Sequence, residues 1–232
     1  MSATPPDRAG LFNYADGSRF EGKAPAEIFT EIAESQFWEE AESISGAGST
    51  LAQTQVLIRE LPPLLHRLEV HRLLDLPCGD FNWMRRLDLT GISYTGGDIV
   101  PAIVARNTAA YASEQVQFAC IDLIHDDLGS YDLLFCRDCL VHLSFAAIGQ
   151  VLANLCRSDI RYVMTTTFPG EAANRDIATG GWRPINLQQA PFHLPLPLLL
   201  LNEGCTEGDG AFADKSLGLW EVAALRQHVP GV

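Results

Sequence analysis

The stretch LLDLPCGDFNWM, residues 73–84, decides how the rest of the chain is read. An apolar run closes on Asp75, a Pro-Cys-Gly turn follows at residues 77–79, and Asp80, Phe81 and Trp83 open the next segment. A short apolar run stopped by a turn reads as a buried strand. Gly79 lets the backbone come close to a ligand, and the expected helix beyond the turn presents free N–H groups.

Working outward, the same pattern recurs. HRLLDLP (71–77), SYTGGDI (93–99), VQFACIDL (116–123), YDLLFCRD (131–138) and RYVMTTTF (161–168) are five apolar runs separated by segments long enough for crossovers. That alternation indicates an α/β fold with a parallel sheet. HLPLPLLLLNE (193–203) and LGLWEVAAL (217–225) read as two final strands joined by a long, glycine-rich hairpin. Upstream, residues 1–24 read as a loose arm and residues 25–42 as a helix with Pro25 in its first turn. A second helix covers TQVLIRELPPLLHRLEV, with Pro62 and Pro63 expected to kink or divide it.

Asp98 closes the second run 23 residues after Asp75, a distance at which an acid beside a glycine turn holds the hydroxyls of a ribose. Asp122 stands at the end of the third run, where an adenine would lie. All three acids fall at carboxyl ends of strands, where open α/β sheets bind ligands. Each residue type also serves as a plain turn or cap residue. A dinucleotide site is disfavoured, because the GxGxxG pattern is missing and only Gly79 occupies the turn.

LLDLPCGDF, YTGGDI, CIDL and YDLLFCRDCLVHLS resemble, in order and spacing, the motifs of the class I S-adenosylmethionine-dependent methyltransferases. Cys78-Gly79 stands where that family more often has two glycines. The resemblance covers roughly residues 50–225. It implies a Rossmann-like, seven-stranded, mostly parallel sheet with an antiparallel last strand. With the N-terminal helical cap this divides the chain into an arm and lid over 1–50 and a methyltransferase domain over 51–232. It implies S-adenosyl-L-methionine as cofactor, held by Asp75, Cys78, Gly79, Asp80, Phe81, Asp98, Ile99, Asp122 and Leu123. FWEEAESISGAGSTLAQTQVLIRELPPLL, GGWRPINLQQAPF and TEGDGAFADKSLGLW further resemble a bacterial methyltransferase group found where sugars or secondary metabolites are modified.

The composition narrows the partners. The chain has 232 residues, 47% of them hydrophobic, and a formal net charge of -13. So negative a field repels phosphate backbones, and the basic residues (Lys23, Lys215 and scattered arginines) form no patch, so nucleic acid is not an expected partner. Cys136 and Cys139 form a CxxC pair, but no second pair has zinc spacing, and no metal is expected. The apolar stretch near Leu194–Leu201 is too short to span a bilayer, and MSATPPDRAG lacks a signal-length apolar core, so a cytoplasmic setting is expected.

Methyl transfer to an oxygen calls for a base that removes the hydroxyl proton. His142 is the candidate: on a helix after the fourth strand, Asp138 shares its face and would orient it. Packing of His142 under the rim of the sheet is the other reading. Arg137 and Arg59 are candidates for a carboxylate, Arg59 for that of the methionine moiety. Trp38 and the loop Ser45–Ser49 form a candidate lid over cofactor and acceptor. Trp182 would stack on a ring while Arg183 and Asn186 fix hydroxyls or a carboxylate. The first reading is therefore O-methylation of a sugar-like or small polar acceptor. N-methylation of a small molecule or peptide, and a non-catalytic nucleoside-binding domain, are the alternatives.

Overall fold

The computed structural model describes residues 17–38 and 40–229, so most of the expected arm lies outside the described residues. All seven apolar runs form strands: β1 (Arg72–Asp75), β2 (Ser93–Asp98), β3 (Val116–Cys120), β4 (Leu133–Cys136), β5 (Tyr162–Thr167), β6 (Leu199–Asn202) and β7 (Ser216–Glu221). They make one sheet in the order β3-β2-β1-β4-β5-β7-β6. The first five run parallel, and β7 pairs antiparallel with both β5 and β6. The strand order reverses between β1 and β4, and such a switch point leaves a crevice at the carboxyl ends of the strands. Asp75, in register with Gly96 on one side and Phe135 on the other, sits beside that crevice.

Alternation along the central strands feeds two cores. Leu74, Leu134 and Cys136 pack on one face with Ile148, Val151 and Leu155 of α4 (Phe145–Arg157). Leu73, Leu133 and Phe135 pack on the other with Leu57, Leu61, Leu64 and Leu65 of α2 (Leu51–Arg67). Of the two effects expected of Pro62 and Pro63, division does not occur, and α2 runs on through both. An interior proline costs about 3 kcal/mol, but each fully buried leucine returns roughly 1.5–3 kcal/mol, and four of them flank the pair.

Three other local expectations also give way. The first helix, α1, spans only Pro25–Glu34. Gln36 takes a left-handed backbone (φ 49), and Phe37 N–H returns to Ile32 O at 3.1 Å, a closing motif that stops the helix. No helix follows the Pro-Cys-Gly turn; a short 3-10 turn at Met84–Arg86 stands there instead. After β4 the chain makes a 3-10 turn at Leu140–His142, and α4 begins only at Phe145, capped by Ser144. The crossover after β2 is α3 (Pro101–Tyr111), and VAAL after β7 curls into the short α5 (Val222–Leu225). Among the described residues, no helix is long and apolar enough to cross a membrane.

Candidate functional site

The glycine turn is held from two sides. Gly79, at φ 53, donates its N–H to Asp98 Oδ2 at 3.1 Å, and its carbonyl accepts from Asn107 Nδ2 at 2.7 Å. The other Asp98 oxygen accepts from Val100 N–H at 3.0 Å, so the carboxyl is fixed at the end of β2. Burial pushes Asp98 up to about 6, against the lowering effect of these backbone N–H groups. Asp75 accepts a 2.6 Å bond from the Tyr94 hydroxyl, yet burial pushes it up to about 7. Asp122 lies two residues beyond β3, where it accepts from Ile124 N–H and pairs with His125 Nδ1 at 2.8 Å.

These groups face a cavity of about 1130 Å³, counted to its solvent mouth. Its lining includes Asp75, Cys78, Gly79, Asp98, Ile99, Asp122 and Leu123, with Ile121 and Ile103 adding apolar surface. Asp80 and Phe81 do not line it. Asp80 accepts from Ser43 Oγ and Ile44 N–H, both at 3.0 Å, and so ties the N-terminal segment down. Phe81 packs among Tyr94, Tyr111 and Phe118. Phe81 takes a left-handed backbone (φ 59), which interrupts the run of helical dihedrals that a helix starting here would need.

The segment after β4 supplies the charged edge. Asp138 adopts a left-handed backbone (φ 50) and does not share a helix face with His142. Its Oδ2 meets Lys215 Nζ at 2.6 Å and Arg137 Nη1 at 3.2 Å. Burial alone would raise this carboxyl, but Arg137 and then Lys215 outweigh it and hold Asp138 well below the usual carboxylate range. Arg137 is spent on Glu203 at 2.7 Å and on the Gly48 carbonyl at 2.8 Å, with its side chain 5% exposed. His142 is oriented instead by the Gly181 carbonyl, 2.7 Å from its Nδ1. A carbonyl only accepts, so Nδ1 carries the proton and Nε2 keeps its lone pair. Burial lowers His142 to about 4, so the ring is neutral at pH 7.

A second chamber of about 490 Å³ adjoins the first. Phe168, Trp182 and Phe212 stand edge to face on its wall, with centroids 5.0 to 6.2 Å apart. Lys215, Asp138, Glu207 and Cys205 supply its polar edge. Trp38, Ser45, Asp138 and His142 line both chambers, and the Trp38 indole lies 5.3 Å from the His142 ring.

No family model and no curated protein matches the chain. Solved structures do. PigF with SAH superposes at a TM-score of 0.60 and 15% identity over 90% of this chain and 66% of its own. Human N-acetylserotonin methyltransferase in complex with SAM superposes at 0.58 and 14% identity over 91% and 63%. The fold is the Rossmann-like methyltransferase fold. The chain spans about two thirds of the length of these structures.

Within this methyltransferase fold, three more residues expected to touch ligand are placed elsewhere. Arg59 is exposed on α2 and pairs with its neighbour Glu60 at 2.7 Å, because that face of the helix turns to solvent. Arg183 is 1% exposed and lines neither chamber; it donates to the carbonyls of Leu140, Leu143 and Arg175 and so braces the turn that carries His142. The Asn186 side chain is consumed by backbone: its Nδ2 donates to the carbonyls of Pro169 and Glu171, and its Oδ1 accepts from Gln188 N–H. Conversely, Phe168 and Phe212 line the second chamber although neither stands out in sequence. Phe212 had one available signal, a lone aromatic in the glycine-rich stretch 203–216. All six cysteines are free, and Cys139 lines the first chamber with its thiol held protonated by Cys136 and by burial.

Proposed function

We propose that this chain binds S-adenosylmethionine in the first chamber and serves methyl transfer to a hydroxyl oxygen of a small molecule in the second. The observation that carries this is the shared boundary. Trp38, Ser45, Asp138 and His142 line both chambers, so a neutral imidazole stands where a donor and an acceptor would meet.

The residues present fit the cofactor. The fixed carboxyl of Asp98 suits the ribose hydroxyls, while Ile99, Ile121 and Leu123 offer apolar surface to a flat base beside Asp122. The turn suits a nucleoside without a pyrophosphate, because the Gly79 N–H is committed to Asp98 and no helix N-terminus follows. When bound, the cofactor supplies an electrophilic methyl group on a sulfonium. The protein's part is to align, to exclude water and to move one proton. His142 Nε2 takes the proton of the acceptor hydroxyl, and the nearby Asp138 carboxylate favours the imidazolium that results. Trp38 and the segment tied to Asp80 cover the site.

Calorimetry with S-adenosylmethionine, its demethylated product and NAD tests the reading. Binding of the first two is expected, and binding of neither would sink it. For a hydroxyl acceptor, His142→Gln lowers kcat by about 10²–10⁴-fold with donor affinity kept. An unchanged kcat removes the base role.

A further inference from the structure

We propose that the acceptor is a flat aromatic hydroxyl compound that also carries a cationic amine, with its ring against Phe168, Trp182 and Phe212 and its amine toward Glu207. This rests on the methyl-transfer reading and assigns the second chamber its substrate class.

Four observations converge on that chemistry. The wall is aromatic and rigid: Trp182 and Phe212 stand 5.0 Å apart at 74°, and Phe168 packs edge-on against both. Such a wall favours a planar apolar body. The side chains expected to hold sugar hydroxyls, those of Arg183 and Asn186, are turned onto backbone carbonyls and are not available to an acceptor.

The charge at the polar edge is unequal. Arg137 and Lys215 face Asp138, Glu203 and Glu207, two cations against three carboxylates. Both cations are within 4.0 Å of Asp138 and Glu203, whereas among the described residues Glu207 makes no ion pair that short, and its Oε2 has the Cys205 thiol 3.7 Å away. An ammonium in this chamber gains from Glu207 and from the ring faces together, while a carboxylate or phosphate is repelled. At the opposite end of the requirement, Trp38 Nε1–H is buried without an acceptor among the described residues, and Trp38 lies against His142. A hydroxyl oxygen of the ligand brought beside His142 satisfies that donor.

The test titrates tyramine, 4-ethylphenol and 3-(4-hydroxyphenyl)propionate into protein saturated with S-adenosylhomocysteine, read by tryptophan fluorescence and by calorimetry. Tyramine is expected to bind at least about tenfold more tightly than the neutral phenol, and the acid most weakly. Glu207→Gln should lower the tyramine to 4-ethylphenol affinity ratio about tenfold, with Glu207→Asp restoring part of it. With the methyl donor and tyramine, mass spectrometry should find the new methyl on oxygen.

Equal affinity for tyramine and 4-ethylphenol, no binding of any of the three, a ratio unmoved by Glu207→Gln, or methylation of nitrogen overturns the acceptor class. Donor binding is measured in parallel on every variant. Its loss in the unaltered protein overturns the methyl-transfer reading itself, and its retention confines a failure to the acceptor.

Discussion

Gly79→Ala tests how closely the N-terminal segment sits on the glycine turn. Gly79 has φ 53, and a Cβ there would point into the hydroxyl of Ser45, well inside contact distance. Two separable costs follow. The left-handed backbone costs a non-glycine residue roughly 1–2 kcal/mol, and forcing a methyl into a packed contact costs about 1–3 kcal/mol. Gly79→Ala should therefore lose about 2–5 kcal/mol in denaturant unfolding. Ser45→Gly removes the obstructing side chain, whose Cβ would otherwise still stand 3.2 Å away. In the Gly79→Ala background it should return about 1–3 kcal/mol and leave the backbone cost untouched. A double-mutant cycle on the two positions reads this coupling directly. The segment is held in place by Asp80, through Ser43 and Ile44, so the contact belongs to the folded chain and not to a passing closure. A coupling energy within about 0.5 kcal/mol of zero would refute the reasoning, because Ser45 would then not lie on the turn.

Three further outcomes are expected. The Asp75 carboxyl ionises near the ordinary 3.8 when unfolded and at about 7 when folded, so its contribution favours the folded state below pH 3.8 and is lost as pH rises through 7. Asp75→Asn should remove that loss, on the order of 3 kcal/mol between pH 4 and 8, in urea unfolding at stepped pH. Asp98 is held near 6, so donor affinity should weaken as pH falls through 6; Asp98→Asn should bind the donor about 10–100-fold more weakly at pH 8 and show no step in calorimetry. Arg183→Met deprives three carbonyls of their donor and should lower stability by about 3 kcal/mol, with kcat falling through the His142 turn while acceptor KM holds.

What was legible without the fold was whatever short-range pattern controls. Seven apolar runs, each ended by turn residues, mark seven strands; burial on both faces demands continuous apolar side chains in the inner strands, while the edge strands β3 and β6 are only half-buried. Asp75 and Asp98 close β1 and β2 for the same local reason, and Gly79 stands at a left-handed turn that a side chain would strain.

The tertiary structure alone decided what the charged and polar side chains do. Spacing alone pairs Asp138 with His142, four residues away, but its partner is Lys215, 77 residues on, and His142 answers to the carbonyl of Gly181. Arg183 and Asn186 look like ligand-binding residues in sequence, yet buried carbonyls claim them, because an unpaired backbone group inside the fold costs more than a lost contact at the surface. Periodicity reports which side of an element is dry. It carries no record of which distant group a buried charge will find, since that is set by strand order and crossover, and those bring residues 38, 138, 142, 207 and 215 to one chamber.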